Sequence, residues 1–264
     1  MAEALAVLEH VTSSDGTRIA YRRSGEGPAL VLVHGTTSAH WSFRFLAATL
    51  VDRFTVYAID RRGRGESGDR ADYTIEREFE DVAAVVDSIE EPASLFGHSY
   101  GATVALGAAL VARNLHKLVL YEPAPGISGV SSEDVERIDD LVARGEREEA
   151  LVHAFRLFGL TPAELEQLRA SPTWSARVAA AHTVAREIRA EEAYRVDPER
   201  FRDFAAPTLL LLGEESPDWA REGTEQIRAI VPGARIAILR GQGHVAIMTA
   251  PELVADEVAR FLSE

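Results

Sequence analysis

Short runs of β-branched and other apolar residues alternate along the chain with longer stretches whose apolar positions recur at helical spacing. This is the pattern of strands and helices wound into a mostly parallel sheet. Runs at 29–33, 54–59, 93–96, 117–121, 208–212 and 235–239 read as its strands. Periodic stretches at 41–50, 75–89, 100–112, 219–230 and 251–262 read as its helices. The amino-terminal end departs from this rhythm: 5–12 and 17–24 read as two strands joined by Ser14, Asp15 and Gly16, residues that suit the turn of an antiparallel hairpin.

The alternation breaks after Pro125. Between 127 and 204 no strand pattern occurs, and the periodicity predicts helices at 133–144, 147–158, 162–169 and 174–194. The third has a strong start signal, because Thr161 can cap, Pro162 fits the first helical position and Glu164 completes a capping box. The pattern therefore divides the chain into an α/β body, 1–126 with 205–264, and a helical cap at 127–204. It contains no internal repeat or low-complexity tract.

Composition changes this picture only by exclusion. With 264 residues, 46% of them hydrophobic, the chain can bury a sizeable core. A formal net charge of -14 argues against nucleic acid as a partner, since phosphate tracking needs a basic surface. There are no cysteines, which removes thiolate nucleophiles, thiolate metal sites and disulfides. No histidines share a helix face with a carboxylate at metal-ligand spacing, so no metal site is expected. No apolar run reaches membrane-spanning length and the first ten residues are acidic rather than basic, so no membrane partner and a cytoplasmic location are the expectation.

Three places carry chemistry. Gly97-His98-Ser99-Tyr100-Gly101 joins an apolar run to an Ala-rich helix and matches G-x-S-x-G. A serine there occupies a tight turn relieved by the small residues around it, above a helix N-terminus whose free N–H groups can receive an oxyanion. His34-Gly35-Thr36 follows the run at 29–33, and the N–H groups of Thr36 and Tyr100 are the expected oxyanion donors. Gly241-Gln242-Gly243-His244 presents a histidine between glycines after the last strand, the best candidate for a base. By contrast, Asp60-Arg61-Arg62-Gly63-Arg64-Gly65-Glu66-Ser67 lacks the ending of a phosphate loop and reads as structural.

Taken together, these residues resemble the α/β-hydrolase superfamily over nearly the whole length. That resemblance implies an eight-stranded sheet, a helical cap inserted after strand six, and a triad in the order Ser, acid, His. Ser99 would be the nucleophile and His244 the base. The acid departs from the usual pattern, because the position three residues after the glycine that ends strand seven is Ser216. Glu122, after strand six, is the favoured replacement, as in some superfamily members; Asp218 is the alternative, with Glu214 and Glu215 on the same loop.

The implied activity is cofactor-free hydrolysis of a small-molecule ester, thioester or lactone. Alternatives on the same fold are C–C bond hydrolysis, acyl transfer and ligand sensing. His34, His98, Phe155, Phe158, Trp174 and His182 are candidate pocket residues, although helical spacing of apolar residues more often means packing, the preferred reading for most of those in the cap. The oligomeric state is not legible in the sequence.

Overall fold

Strand residues alternate between faces, so a strand that is apolar at every position must be covered on both sides. The computed structural model, which describes residues 6–123, 125, 126 and 129–264, shows this arrangement. Its strands are β1 (Val7–Thr12), β2 (Arg18–Ser24), β3 (Ala29–Val33), β4 (Thr55–Ile59), β5 (Ala93–His98), β6 (Leu115–Tyr121), β7 (Thr208–Gly213) and β8 (Arg235–Leu239). They form one sheet in the order β1-β2-β4-β3-β5-β6-β7-β8. β2 runs antiparallel to both β1 and β4, and every other pairing is parallel.

Val31, Val33, Leu95, Leu118 and Leu120 face one side, beneath α2 (Ile75–Ser88) and α3 (Tyr100–Ala109). Leu30, Leu32, Phe96, Val119 and Tyr121 face the other, beneath α1 (Arg44–Leu50) and α11 (Pro251–Ser263). In α2, Ile75, Phe79, Val82 and Val86 form the buried stripe. Every residue of α3 is buried, and Gly107 gives the Phe79 ring its place, since a Cβ there would come within 2.3 Å of it.

Between β6 and β7 lie α4 (Ser132–Ala143), α5 (Arg147–Leu157), α6 (Pro162–Arg169), α7 (Trp174–Ala179) and α8 (Val184–Ala193). They carry apolar clusters of their own, one around Ile138, Ala150 and Val184 and one around Leu151, Phe155 and Leu165. Thr161 and Glu164 form the capping box that their spacing predicts. β7 leads to α9 (Asp218–Ile230), and α10 (Ala246–Thr249) precedes α11. Among the described residues no helix is long and apolar enough to cross a membrane.

Several boundaries differ from the periodicity. The stretch at 174–194 is not one helix, because Thr183 returns its N–H and its hydroxyl to the Ala180 carbonyl (3.0 and 2.7 Å) and a short 3-10 turn separates α7 from α8. α3 stops at Ala109 rather than 112, since Asp87 captures the N–H groups of Arg113 and Asn114 (2.7 and 3.0 Å) and draws the chain into an earlier start of β6. The stretch at 41–50 begins as a 3-10 turn, His40–Phe43. α10 and a 3-10 turn at Pro198–Phe201 are too short to leave a period.

The loop after β4 is buried and ionic. Arg61 pairs with Glu78 (2.8 Å) and with Glu187 of α8 (2.9 Å), Arg64 also pairs with Glu187, and Arg62 grips Asp81 through two nitrogens (2.6 and 2.7 Å). Removing one partner of such a pair strands a buried charge, so these contacts tie the helical segment to the body at a defined position.

Candidate active site

β3 lies between β4 and β5, so the chain leaves the carboxyl ends of β3 and β5 in opposite directions and opens a crevice there. The loop at 34–37 and the turn at Ser99 meet in it. A Cβ on Gly35 would stand 3.0 Å from the Ser99 Cβ and 3.4 Å from its Oγ, so glycine is what permits the approach. The elbow needs its own glycines for the same reason: a Cβ on Gly97 would lie 2.4 Å from the Gly101 carbonyl oxygen, and one on Gly101 would lie 2.3 and 2.4 Å from the carbonyl oxygens of Val33 and His34. Those oxygens belong to the central strand and the turn that follows it, and cannot move away cheaply. Gly101→Ala is therefore expected to cost about 3 kcal/mol or more, read as a lowered urea midpoint or loss of soluble protein; an unchanged midpoint would contradict this packing.

Among the described residues, the non-glycine positions with left-handed backbone are Thr37 (φ 59°), Ser99 (φ 57°) and Glu122 (φ 52°). They stand at the carboxyl ends of β3, β5 and β6, one strained residue on each. Strain of this kind costs about 1–3 kcal/mol per residue and concentrates where a side chain must be aimed. Ser99 sits immediately before α3, whose first-turn N–H groups, that of Tyr100 included, have no partner within the helix. Thr36, which follows the Gly35 that abuts Ser99, is half-buried.

Glu122 is fully buried, with Oε2 2.5 Å from Nδ1 of His244. Its Oε1 accepts the Gly213 N–H (2.7 Å) and the Ser216 hydroxyl (2.5 Å). Three donors thus surround one carboxylate, which holds it fixed. With Nδ1–H donating to Glu122, the His244 Nε2 is left as the acceptor. Ser216 thus faces the carboxylate from the next strand and donates to it. Gly213 makes room, since a Cβ there would be 2.5 Å from the Ser216 Oγ. The alternative acid is placed elsewhere: Asp218 is exposed at the first position of α9 and makes no hydrogen bond or ion pair with His244 among the described residues. Glu214 accepts the Gly241 N–H (2.9 Å), and Glu215 is exposed.

The loop carrying His244 is pinned from below. His98 Nε2–H donates to the His244 carbonyl (2.7 Å), its ring lies 4.7 Å from the His244 ring, and the Tyr121 hydroxyl donates to the Gly243 carbonyl. Trp219 packs against the His244 ring in a T-shaped arrangement, with the ring centres 4.9 Å apart. Burial, helped by the neighbouring His244, pushes the His98 pKa down to about 3 from 6.5. The unfolded chain therefore binds a proton that the folded one refuses between those values. The contribution of neutral His98 to stability is complete above about pH 6.5 and is lost as pH falls toward 3. His98→Gln is expected to be less stable at pH 7 but to lose stability less steeply between pH 6.5 and 4, measured as thermal midpoints; parallel curves for the two proteins would contradict this.

The other pocket candidates have contacts of their own. His34 is fully buried: its Nε2 accepts the Arg61 N–H (3.1 Å) and its Nδ1–H donates to the Gly35 carbonyl (2.9 Å), so it shapes the loop. His182 turns to the Ala179 carbonyl (3.1 Å) and to Asp69 (3.6 Å). Phe155 and Trp174 stack in the apolar cluster of α5–α7, while Phe158 at the end of α5 is 40% exposed. Sequence reasoning missed Ser216 as a donor, Trp219 against His244, and Arg177, whose guanidinium reaches the Thr37 carbonyl (2.7 Å).

The model of the alpha/beta hydrolase family matches residues 30–257. Among solved structures, an alpha/beta hydrolase from Sphaerobacter thermophilus DSM 20745 is 35% identical, with a TM-score of 0.85, and the match covers 96% of this chain and all of that one. A hydrolase from Pseudomonas aeruginosa PA01 is 26% identical, with a TM-score of 0.77 and 97% and 98% of the two chains covered. The 2-(acetamidomethylene)succinate hydrolase of Mesorhizobium japonicum is 25% identical over 261 residues, 91% of this chain and 90% of that protein.

Proposed function

The chain belongs to the α/β-hydrolase family, and on that premise we propose that it is a serine hydrolase cleaving a carboxylic ester, thioester or lactone through an acyl-enzyme on Ser99. The observation that carries the reading is the 2.5 Å contact between Glu122 Oε2 and His244 Nδ1, which directs the free Nε2 of a buttressed imidazole toward proton transfer. The hydrolase name of the Mesorhizobium japonicum relative supports the coarser part of this reading, that the reaction is a hydrolysis.

In this mechanism the Ser99 Oγ attacks the carbonyl carbon while its proton passes to His244 Nε2. The negative charge that develops on the carbonyl oxygen is received by the N–H groups of Thr36 and Tyr100, held in place before substrate arrives. Glu122 stabilises the imidazolium without taking its proton. Collapse of the tetrahedral adduct expels the alcohol or thiol, protonated by His244, and leaves the acyl group on Ser99. Water, deprotonated by the same Nε2, then releases the acid and restores the serine. The helices α4–α8 serve as the cap over this crevice, a role supported by the bond from Arg177 to Thr37 and the pairing of Glu187 with Arg61 and Arg64.

The test is partitioning. Esters that share an acyl group but differ in alcohol must pass through one acyl-enzyme, so the ratio of methanolysis to hydrolysis in added methanol should be the same for all of them. A ratio that changes with the leaving group would overturn the covalent mechanism.

A further inference from the structure

Four arginines are buried among the described residues, and three are matched by carboxylates: Arg61 by Glu78 and Glu187, Arg62 by Asp81 and Asp15, and Arg64 by Glu187. Arg177 is the exception. It is 7% exposed, yet no carboxylate pairs with it among the described residues, in a chain with 42 acidic residues. Its guanidinium is held in place by uncharged groups. Nη1 donates to the Thr37 carbonyl (2.7 Å) and touches the Thr37 hydroxyl (3.3 Å), and the group lies over the Trp41 ring at 4.5 Å with Phe155 at 6.0 Å. The buried Nε has no partner among the described residues.

Aromatic faces compensate a cation only in part, so a buried guanidinium left without an anion is costly unless something else supplies the charge. Burial and the like charge of Arg44 lower its pKa to about 10. The position is informative too: Thr37 follows Thr36, and Gly35 abuts Ser99, so Arg177 stands beside the loop that would receive the carbonyl oxygen. A planar guanidinium fixed by ring contacts and one carbonyl bond, with donors to spare, is the arrangement that reads a carboxylate.

We propose that Arg177 is the specificity-determining residue of this site, binding a carboxylate that the substrate carries a few bonds from the scissile carbonyl, so that the substrate class is anionic esters. This rests on the serine-hydrolase reading above, which it narrows. The carboxylate would complete the ion pair that the chain leaves open, and the Thr37 contact would set its distance from the oxyanion donors. An apolar ester of equal length would leave the buried cation unpaired, and would be discriminated against on that account.

The experiment compares matched esters by proton release. On the acyl side, monomethyl succinate and monomethyl glutarate are set against methyl butyrate and methyl pentanoate. On the alcohol side, acetoxyacetate and 3-acetoxypropanoate are set against ethyl and propyl acetate. The wild type should prefer the charged member in one of the two arms. That preference, as a ratio of kcat/KM values, should fall by about 10²-fold in Arg177→Leu and less in Arg177→Lys. A general disturbance of the oxyanion loop would lower both members of a pair and leave the ratio unmoved. No preference in the wild type, or a preference that survives in Arg177→Leu, overturns the proposal while leaving the hydrolase reading intact; should Arg177→Leu fail to fold, the wild-type preference and the Lys variant decide. If none of these esters turns over, labelling of Ser99 by a fluorophosphonate decides the hydrolase reading, and calorimetric titration with succinate and glutarate decides about Arg177: binding that the Lys variant weakens sustains its role, and absence of binding, or binding that the Lys variant leaves unchanged, ends it.

Discussion

Ser99→Ala is expected to lower kcat for ester hydrolysis by about 10⁵- to 10⁶-fold, because nucleophile and base act as one unit and the residual rate comes from the oxyanion donors and substrate binding alone. The fold should survive. Alanine loses one hydroxyl, opens no cavity of consequence, and meets the left-handed backbone at φ 57° with the same Cβ that serine has. Unfolding midpoints within about 1 kcal/mol of the wild type, together with near-complete loss of turnover, would place the effect in the chemistry. Turnover within tenfold of the wild type would mean that another residue carries the acyl group.

Glu122→Gln is expected to cost about 10³- to 10⁴-fold in kcat. A glutamine oxygen can still accept the Gly213 N–H and the Ser216 hydroxyl, as Oε1 does now. Its amide nitrogen would then face His244 Nδ1, where the carboxylate oxygen stands at 2.5 Å. Donor against donor is repulsive, so the ring would shift its proton to Nε2, the tautomer that cannot accept from Ser99. The substitution thus removes the charge that supports the imidazolium and also favours the wrong tautomer. Asp218→Asn, on the exposed end of α9, should remain within a few-fold of the wild type. The reverse ranking would return the acid to the loop after β7.

How much of this was legible varied with the physical signal. The sheet was readable because β3 and β4 are buried at every position and so appear as uninterrupted apolar runs. The elbow was readable because Gly97 and Gly101 are both demanded by backbone oxygens, a requirement that leaves glycine as its trace in the sequence. Glu122 could be singled out only through the family resemblance, in which the serine at 216 displaces the usual acid and some members carry a glutamate after strand six instead. The left-handed backbone that aims Glu122 left no trace, since strain on a glutamate is maintained by surrounding packing and not by its own preference.

Other features depend on contacts remote in sequence. His34 reads like a pocket residue on an exposed turn, yet its burial is decided by Arg61, which arrives from the next strand and donates to its ring. Arg177 sits in a stretch that reads as a polar helix face, and only the break at Ala180 and the meeting of α7 with Thr37 and Trp41 enclose it. The break itself comes from the local bonding of Thr183, which competes with the helix without disturbing its apolar period.

The central claim is that Ser99 carries a covalent acyl group, activated by His244 and Glu122. Its most direct test is intact-mass spectrometry of the protein after exposure to a fluorophosphonate, followed by peptide mapping of the adduct. A single phosphonyl group on Ser99, formed rapidly in the wild type and far more slowly in Glu122→Gln, is the predicted result. A modification on any other residue, or none in a folded wild-type protein, would contradict it.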